Sequence, residues 1–367
     1  MPWSLKLING AVMDRWSFPP MGRRRPWVLL SQLGLCASLV VMAFVSAPSA
    51  GAFVVIALGV GVNVFGAFQD AAVDGMAIDI FPETEYARAN GVMWGAKTIG
   101  IAGSSAISAW LLNAYGWSVA FCSIAALVAS IFLLPLFLLE RPGERRLPWT
   151  RGKASAFQSA PPMGAWLPLI RRLFRSATAP FSIRLIAIIF IALLSYGLFI
   201  STMPVLTVQL LDWSDTDFSH VAAAANFAAG MMGIFVAGPL ADRFGPMRTL
   251  MATLALVAIL HGAVALVPSL WPVRQAMIAY TVLYELLFVQ MSVALYALAM
   301  NASDKEIAAS HFALFMAFIN LGTSVGAGAL GLSRQLWGFS GTFAAMAAAA
   351  ILALLLSAAY QFKNPIP

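Results

Sequence analysis

Charge is scarce in this chain: of 367 residues, 10% are charged and 61% hydrophobic. A water-soluble protein carries about 25% charged residues and about half apolar ones, so there is too little charge here to cover a soluble fold. Histidine and cysteine are scarce too, at 3 and 2 residues, and Cys36 and Cys122 both sit deep in apolar runs. Disulfide scaffolds, zinc modules and His-rich metal sites are poor readings of such a chain, and neither metal nor cofactor is expected. No Gly-x-x-x-x-Gly-Lys-Ser/Thr loop occurs, so nothing supports ATP-driven pumping. Three scattered histidines assemble no Ser/His/Asp constellation, and the chain does not read as an enzyme. The net charge of +7 does not point to nucleic acid either. The arginines cluster in short loops between long apolar stretches, an arrangement that belongs to membrane topology.

What the sequence has in abundance is apolar length. A bilayer core takes about 20 apolar residues per helix at ~1.5 Å rise each. That ruler gives ten candidate spans, at 27–47, 53–79, 90–112, 118–139, 181–203, 219–241, 248–267, 273–299, 309–332 and 338–360. The expected class is an all-α integral membrane protein; barrel strands are not supported, because no ten-residue alternation recurs. With the N-terminus in the cytoplasm, only Arg274 and Arg334 of the 22 lysines and arginines fall outside, while Lys6 and Lys97 lie in apolar segments. The positive-inside bias therefore predicts that both termini are cytoplasmic. The longest gap between spans, 140–180, ends in Trp166-Leu-Pro-Leu-Ile-Arg171-Arg172-Leu-Phe-Arg175. This piece reads as a basic amphipathic helix lying on the inner leaflet. Residues 1–139 are expected to form an N-terminal bundle, 140–180 a cytoplasmic linker, and 181–367 a six-helix bundle.

Two inner loops resemble each other. One reads Gly10-Ala-Val-Met-Asp14-Arg15 and continues, after a spacer, to Gly22-Arg23-Arg24-Arg25; the other reads Gly238-Pro-Leu-Ala-Asp242-Arg243-Phe-Gly245-Pro-Met-Arg248. Repeated halves are a hallmark of secondary transporters. The shared pattern, G-x-x-x-D-R followed by a glycine and a basic residue, resembles the signature of the major facilitator superfamily; the second loop fits it fully and the first has a longer spacer. Within that superfamily, Lys6-Leu-Ile-Asn-Gly-Ala-Val-Met-Asp14-Arg15, Gly22-Arg-Arg-Arg-Pro-Trp27 and Gln69-Asp70-Ala-Ala-Val-Asp74-Gly resemble the AmpG-like muropeptide permease and acetyl-CoA transporter family, over about residues 3–117. The resemblance implies two pseudo-symmetric six-helix bundles joined by a cytoplasmic linker. On that alignment the chain begins inside the second helix, so that the N-terminal bundle holds four full spans of a twelve-helix fold. It also implies that Gly10, Asp14, Arg15, Arg23, Arg24, Gly238, Asp242, Arg243 and Arg248 brace the cytoplasmic side in one conformation and separate in another.

A second set of candidates lies within the spans. Asp70 and Asp74 share a helix face at i, i+4, with Gln69 beside them. Counted from the inner end, Asp70 is ~15 Å deep, Asp74 ~9 Å and Lys97 ~12 Å. Unpaired charge in hydrocarbon is costly, so a Lys97–aspartate pair is expected. Asp79, near the interface, reads as a helix-end charge. Glu285 lies ~18 Å into its span with Tyr284 beside it and no basic residue at its depth in that half. Such a carboxyl can take up and release a proton, and carrier sites lie near the midplane. The expected function is a proton-coupled secondary transporter, or permease, of the inner membrane, taking a small or medium-sized solute as a symport and acting as a monomer; the resemblance implies a muropeptide-like or related amphiphilic cargo. The alternatives are a drug or metabolite proton antiporter of the same superfamily and a truncated, non-transporting membrane protein. A membrane-embedded transferase would need acidic or histidine residues gathered at one membrane face, and only ordinary loop charges occur there.

Overall fold

A computed structural model describes residues 6–45, 52–155 and 165–363. The Ser/Pro-containing stretch of the linker, 156–164, lies outside the described residues. The described chain is almost wholly helical: α1 (Lys6–Arg15), α2 (Arg25–Phe44), α3 (Ala52–Ile80), α4 (Tyr86–Phe137), α5 (Trp166–Ala177), α6 (Pro180–Pro204), α7 (Asp215–Met232), α8 (Gly238–Phe244), α9 (Pro246–Leu266), α10 (Arg274–Ala302) and α11 (Ala308–Lys363). Among the described residues, 8 helical stretches are long and apolar enough to cross a membrane. Two helices are not continuous. Gly116, at φ 82°, breaks α4, and Gly338, at φ 64°, breaks α11. A left-handed backbone of that kind is strained for residues with a Cβ, and glycine adopts it freely.

Local chemistry sets several ends. Ser214 caps α7 by accepting from the Asp217 amide at 3.0 Å, and Asp215 and Asp217 sit in the first turn, where the helix dipole favours anions. Proline stands in the first turn of α2, α6, α8 and α9, where its missing N–H costs nothing. Between α7 and α8, Gly233–Ala237 winds as a π-helix, which breaks the regular i→i−4 ladder. Gln290 of α10 answers with its amide, donating to the Ala237 carbonyl at 3.1 Å.

Packing groups the chain into two compact units. The first comprises 1–82, 103–178 and 303–317; the second comprises 83–102, 179–302 and 318–367. The exchange is reciprocal: the first part of α11 packs in the first unit, and the first part of α4 packs in the second. In the first unit, Met13, Val28, Ala71, Ala72 and Ala309 form an apolar cluster that ties α1, α2 and α3 to the start of α11. In the second, α10 is the most buried of the candidate spans among the described residues.

Candidate functional site

Each of the two repeated loops brings a glycine and an aspartate against a helix start in its own unit. In the first, Gly10 lies so close to the start of α11 that a Cβ there would stand 2.5 Å from the Ala309 carbonyl oxygen and 2.8 Å from the Ser310 nitrogen. One turn further along α1, on the same face, Asp14 meets that helix start: its Oδ2 accepts from the Ser310 amide at 2.7 Å and from the Ser310 hydroxyl at 2.6 Å. Ser310 is the third residue of α11, and its amide is among the four that a helix cannot bond internally. The carboxylate therefore supplies both a missing acceptor and a negative charge at a positive helix end. In the second unit, a Cβ on Gly238 would stand 2.6 Å from the Arg88 Cα and 3.0 Å from the Ala87 carbonyl oxygen, at the start of α4. Asp242, again one turn on, has Oδ2 3.6 Å from Arg88 Nε, and that oxygen is buried without a hydrogen-bond partner among the described residues. Gly and Asp at i, i+4 thus form one device: the glycine lets a helix start approach and the aspartate engages it.

Around Asp14 the run Arg23-Arg24-Arg25 folds inward, and all three are buried. Arg24 has no exposed surface; it donates from Nη2 to Asp14 at 2.6 Å and from Nε to Asp79 at 2.9 Å. Burial works against its charge, but Asp14 and Asp79 outweigh burial and raise its pKa further. Arg23 contacts the same two carboxylates at 3.4 and 3.3 Å and also donates to the Lys305 and Glu306 carbonyls at 2.9 and 2.5 Å. For Arg23 burial and the adjacent Arg24 prevail, and its pKa is lowered. Arg25 turns to other work: it donates to the Pro135 and Leu136 carbonyls in the last turn of α4, at 2.6 and 2.8 Å. A cation there favours the negative helix end. Asp79, which looks like a helix-end charge in the sequence, is a full member of the buried cluster. Three consecutive arginines after Gly22 were its only sequence signal.

The segment between α10 and α11 is also held from α5. Arg172 grips Asp304 with Nε and Nη2 at 2.6 and 2.9 Å and reaches Glu306 as well. The hydrogen bond to Asp304 raises the Arg172 pKa. At Asp304 burial opposes ionisation, yet the Arg172 hydrogen bond and the Glu306 amide hold the carboxyl below its usual range. Arg15 lies over the rings of Trp16 and Trp166, at 5.1 and 4.9 Å.

Of the residues expected within the spans, Asp70 and Asp74 do find a cation, and it is Lys6 of α1. Lys6 pairs with Asp70 and lies 3.8 Å from Asp74. Sequence reasoning passed over Lys6 because nothing gave its depth. Lys97, the expected partner, stands in the other unit with its ammonium 5.7 Å from the Trp94 ring centroid. Gln69 sits on α3 immediately before this acidic pair. Glu285 is buried in α10 and has no ion-pair partner among the described residues. Its neighbourhood is aromatic. Tyr196 stacks on Phe288 at 3.6 Å, Tyr284 packs on Phe199 at 4.0 Å and on His261 at 4.7 Å, and His261 Nδ1 shares a hydrogen bond with the Tyr280 hydroxyl at 2.9 Å. His261 Nε2 is buried without a partner. Arg243 lies 5.5 Å over the Phe244 ring, and Arg248 stands in the first turn of α9.

Helices this long and apolar, several in each of two units, define a multi-pass membrane protein. The sequence matches the Major Facilitator Superfamily profile over residues 3–289 and 185–367, and the chain belongs to that superfamily. The anhydromuropeptide permease of Escherichia coli K12 is 27% identical over 136 residues, 37% of this chain and 28% of that protein. An uncharacterised protein of Haemophilus influenzae is 27% identical over 142 residues, 39% of this chain. That match spans 33% of the Haemophilus protein's length, so the chain matches about a third or less of these relatives. The fold is similar to that of the human organic anion transporter MFSD10, with a TM-score of 0.73 at 16% identity over 97% of this chain and 80% of that one. It also resembles a bacterial homologue of the iron transporter ferroportin in its outward-facing state, with a TM-score of 0.67 at 12% identity over 98% and 87% of the two chains. The proton:xylose symporter XylE gives a TM-score of 0.63 at 15% identity over 99% and 84%.

Proposed function

We propose that this protein is a secondary active transporter that carries a small or medium-sized solute across the inner membrane by alternating access, coupled to protons and acting as a single chain. The observation that carries the reading is the pair of Gly–Asp docks. Each joins a loop motif to the start of a helix far away in sequence, and each rests on short-range contacts that a modest helix movement would break. Gly10, Asp14, Arg15, Arg23 and Arg24 form one latch, and Gly238, Asp242, Arg243 and Arg248 the other. Both belong on the cytoplasmic side by the distribution of arginine, which puts both termini there too. The proposed organisation has ten spans, with α4 and α11 each taken as two about Gly116 and Gly338, arranged as an N-terminal bundle over 1–139, a linker over 140–180 and a six-helix bundle over 181–367. The similarity to the anhydromuropeptide permease favours a muropeptide-like or related amphiphilic cargo.

Glu285 is the proton-coupling group in this reading, with Tyr284 at the solute; Gln69, Asp70 and Asp74 are the further polar candidates of the first unit, and Lys97 is one of the second. A buried carboxyl among aromatic rings, without an ion-pair partner among the described residues, can change protonation without unmaking a salt bridge. The test is Glu285→Gln in proteoliposomes loaded with anhydromuropeptide, assayed for accumulation driven by a pH gradient and for downhill exchange. Accumulation should be lost while exchange survives. Intact pH-driven accumulation would make Glu285 structural and pass the role to the Asp70/Asp74 group.

A further inference from the structure

Helix α5 presents three different faces. At ~100° per residue, Arg172, Ser176 and Leu169 point one way. Leu169 has no exposed surface, and Arg172 and Ser176 bind Asp304. The opposite face shows Leu167, Ile170 and Phe174, which are 67%, 56% and 70% exposed. Arg171 and Arg175 fall along one edge of that apolar stripe, and both are exposed. Beside the N-terminal end of this helix, the Trp166 ring meets Trp16 edge-to-face at 5.3 Å. Next to Trp16 opens a pocket of about 190 Å³, lined by Trp16, Ser17, Phe18, Pro26, Trp27 and Leu30. Trp27 Nε1 donates to the Trp16 carbonyl at 2.7 Å and so ties two of its lining residues together. From its mouth Leu30 and then Leu33, 56% and 59% exposed, continue along α2 into a membrane-spanning stretch.

We propose that α5 and this pocket form a binding site for an acidic phospholipid of the leaflet they border. The phosphate lies against Arg171 and Arg175, glycerol and ester groups lie at the tryptophan belt, and an acyl chain enters the pocket and follows Leu30 and Leu33. Charge complementarity selects the occupant. An apolar stripe edged by arginines matches a surface that is apolar inside and anionic at its rim, whereas a soluble protein partner would leave the Leu30–Leu33 track uncovered. Tryptophan rings favour the same interfacial depth. Because Arg172 holds the loop before α11 from the other side of α5, the lipid and that loop share one helix.

The test uses the whole protein purified in detergent. Thermal unfolding is followed while phosphatidylglycerol, phosphatidylcholine or inorganic phosphate is added. Phosphatidylglycerol should raise the midpoint by ~2–4 °C, as expected for a ligand binding the folded state alone, and phosphatidylcholine should do much less. The R171Q/R175Q variant, altered only at exposed positions, should lose most of the shift, and R171K/R175K should keep it. An equal effect of phosphatidylcholine, a full effect of inorganic phosphate alone, or an undiminished shift in R171Q/R175Q would each overturn the proposal.

Discussion

Asp14 has no exposed surface, yet it accepts from Ser310 twice and from Arg24, with Arg23 3.4 Å away. Removing one partner from a buried ion pair costs about 3–5 kcal/mol, because the other charge is stranded. Asp14→Ala should therefore lower the thermal midpoint sharply, and Ser310→Ala, which removes one neutral donor, should cost only about 1 kcal/mol. Equal effects in denaturation experiments would mean that the arginines find other partners. The Arg172–Asp304 pair makes a weaker, pH-dependent contribution. Asp304 has a folded-state pKa below its unfolded value of about 3.9. Its stabilisation is thus complete above about pH 4 and is lost as pH falls through the lower folded value. The pair is partly exposed, so its worth is at most about 1 kcal/mol. The stability difference between wild type and Arg172→Gln should be flat from neutral pH to about pH 4 and shrink below it. A difference that grew on acidification would contradict the assignment.

At the level of helices, the docks turn on glycine. Gly10→Ala drives a methyl into the Ala309 backbone and Gly238→Ala drives one into Arg88, and neither neighbour is a flexible side-chain end. Overpacking of this kind costs about 1–3 kcal/mol, so each variant should lose stability by that amount. Gly262→Ala, on open surface of α9, should not. The all-helical, membrane-spanning character was legible in the sequence, because apolar length alone marks a span, although 8 candidate stretches among the described residues stand where ten were expected, and the G-x-x-x-D-R repeat marked the residues of the docks. What each aspartate docks onto was not legible. Asp14 and Ser310 are 296 positions apart, and no local pattern records a contact at that range. The partner of Asp70 was missed for a related reason: Lys6 sits in a ten-residue helix too short for its depth to be counted from sequence.

In the proposed reading of the whole molecule, the arginine distribution sets orientation and the docks set the working cycle. If both termini and the 140–180 segment are cytoplasmic, as proposed, Ser155→Cys in a background lacking Cys36 and Cys122 should resist membrane-impermeant reagents in intact cells and react in inverted vesicles. The proposed cycle requires the Asp14 dock to open each time solute is carried. Hydrogen–deuterium exchange at the first turn of α11, in protein reconstituted with and without an anhydromuropeptide shown to be transported, reads this most directly. Exchange around Ser310 should be slow in resting protein, faster during turnover, and fast throughout in Asp14→Asn. If α11 stays equally protected while solute crosses the membrane, the Gly–Asp dock is a fixed joint and not a gate.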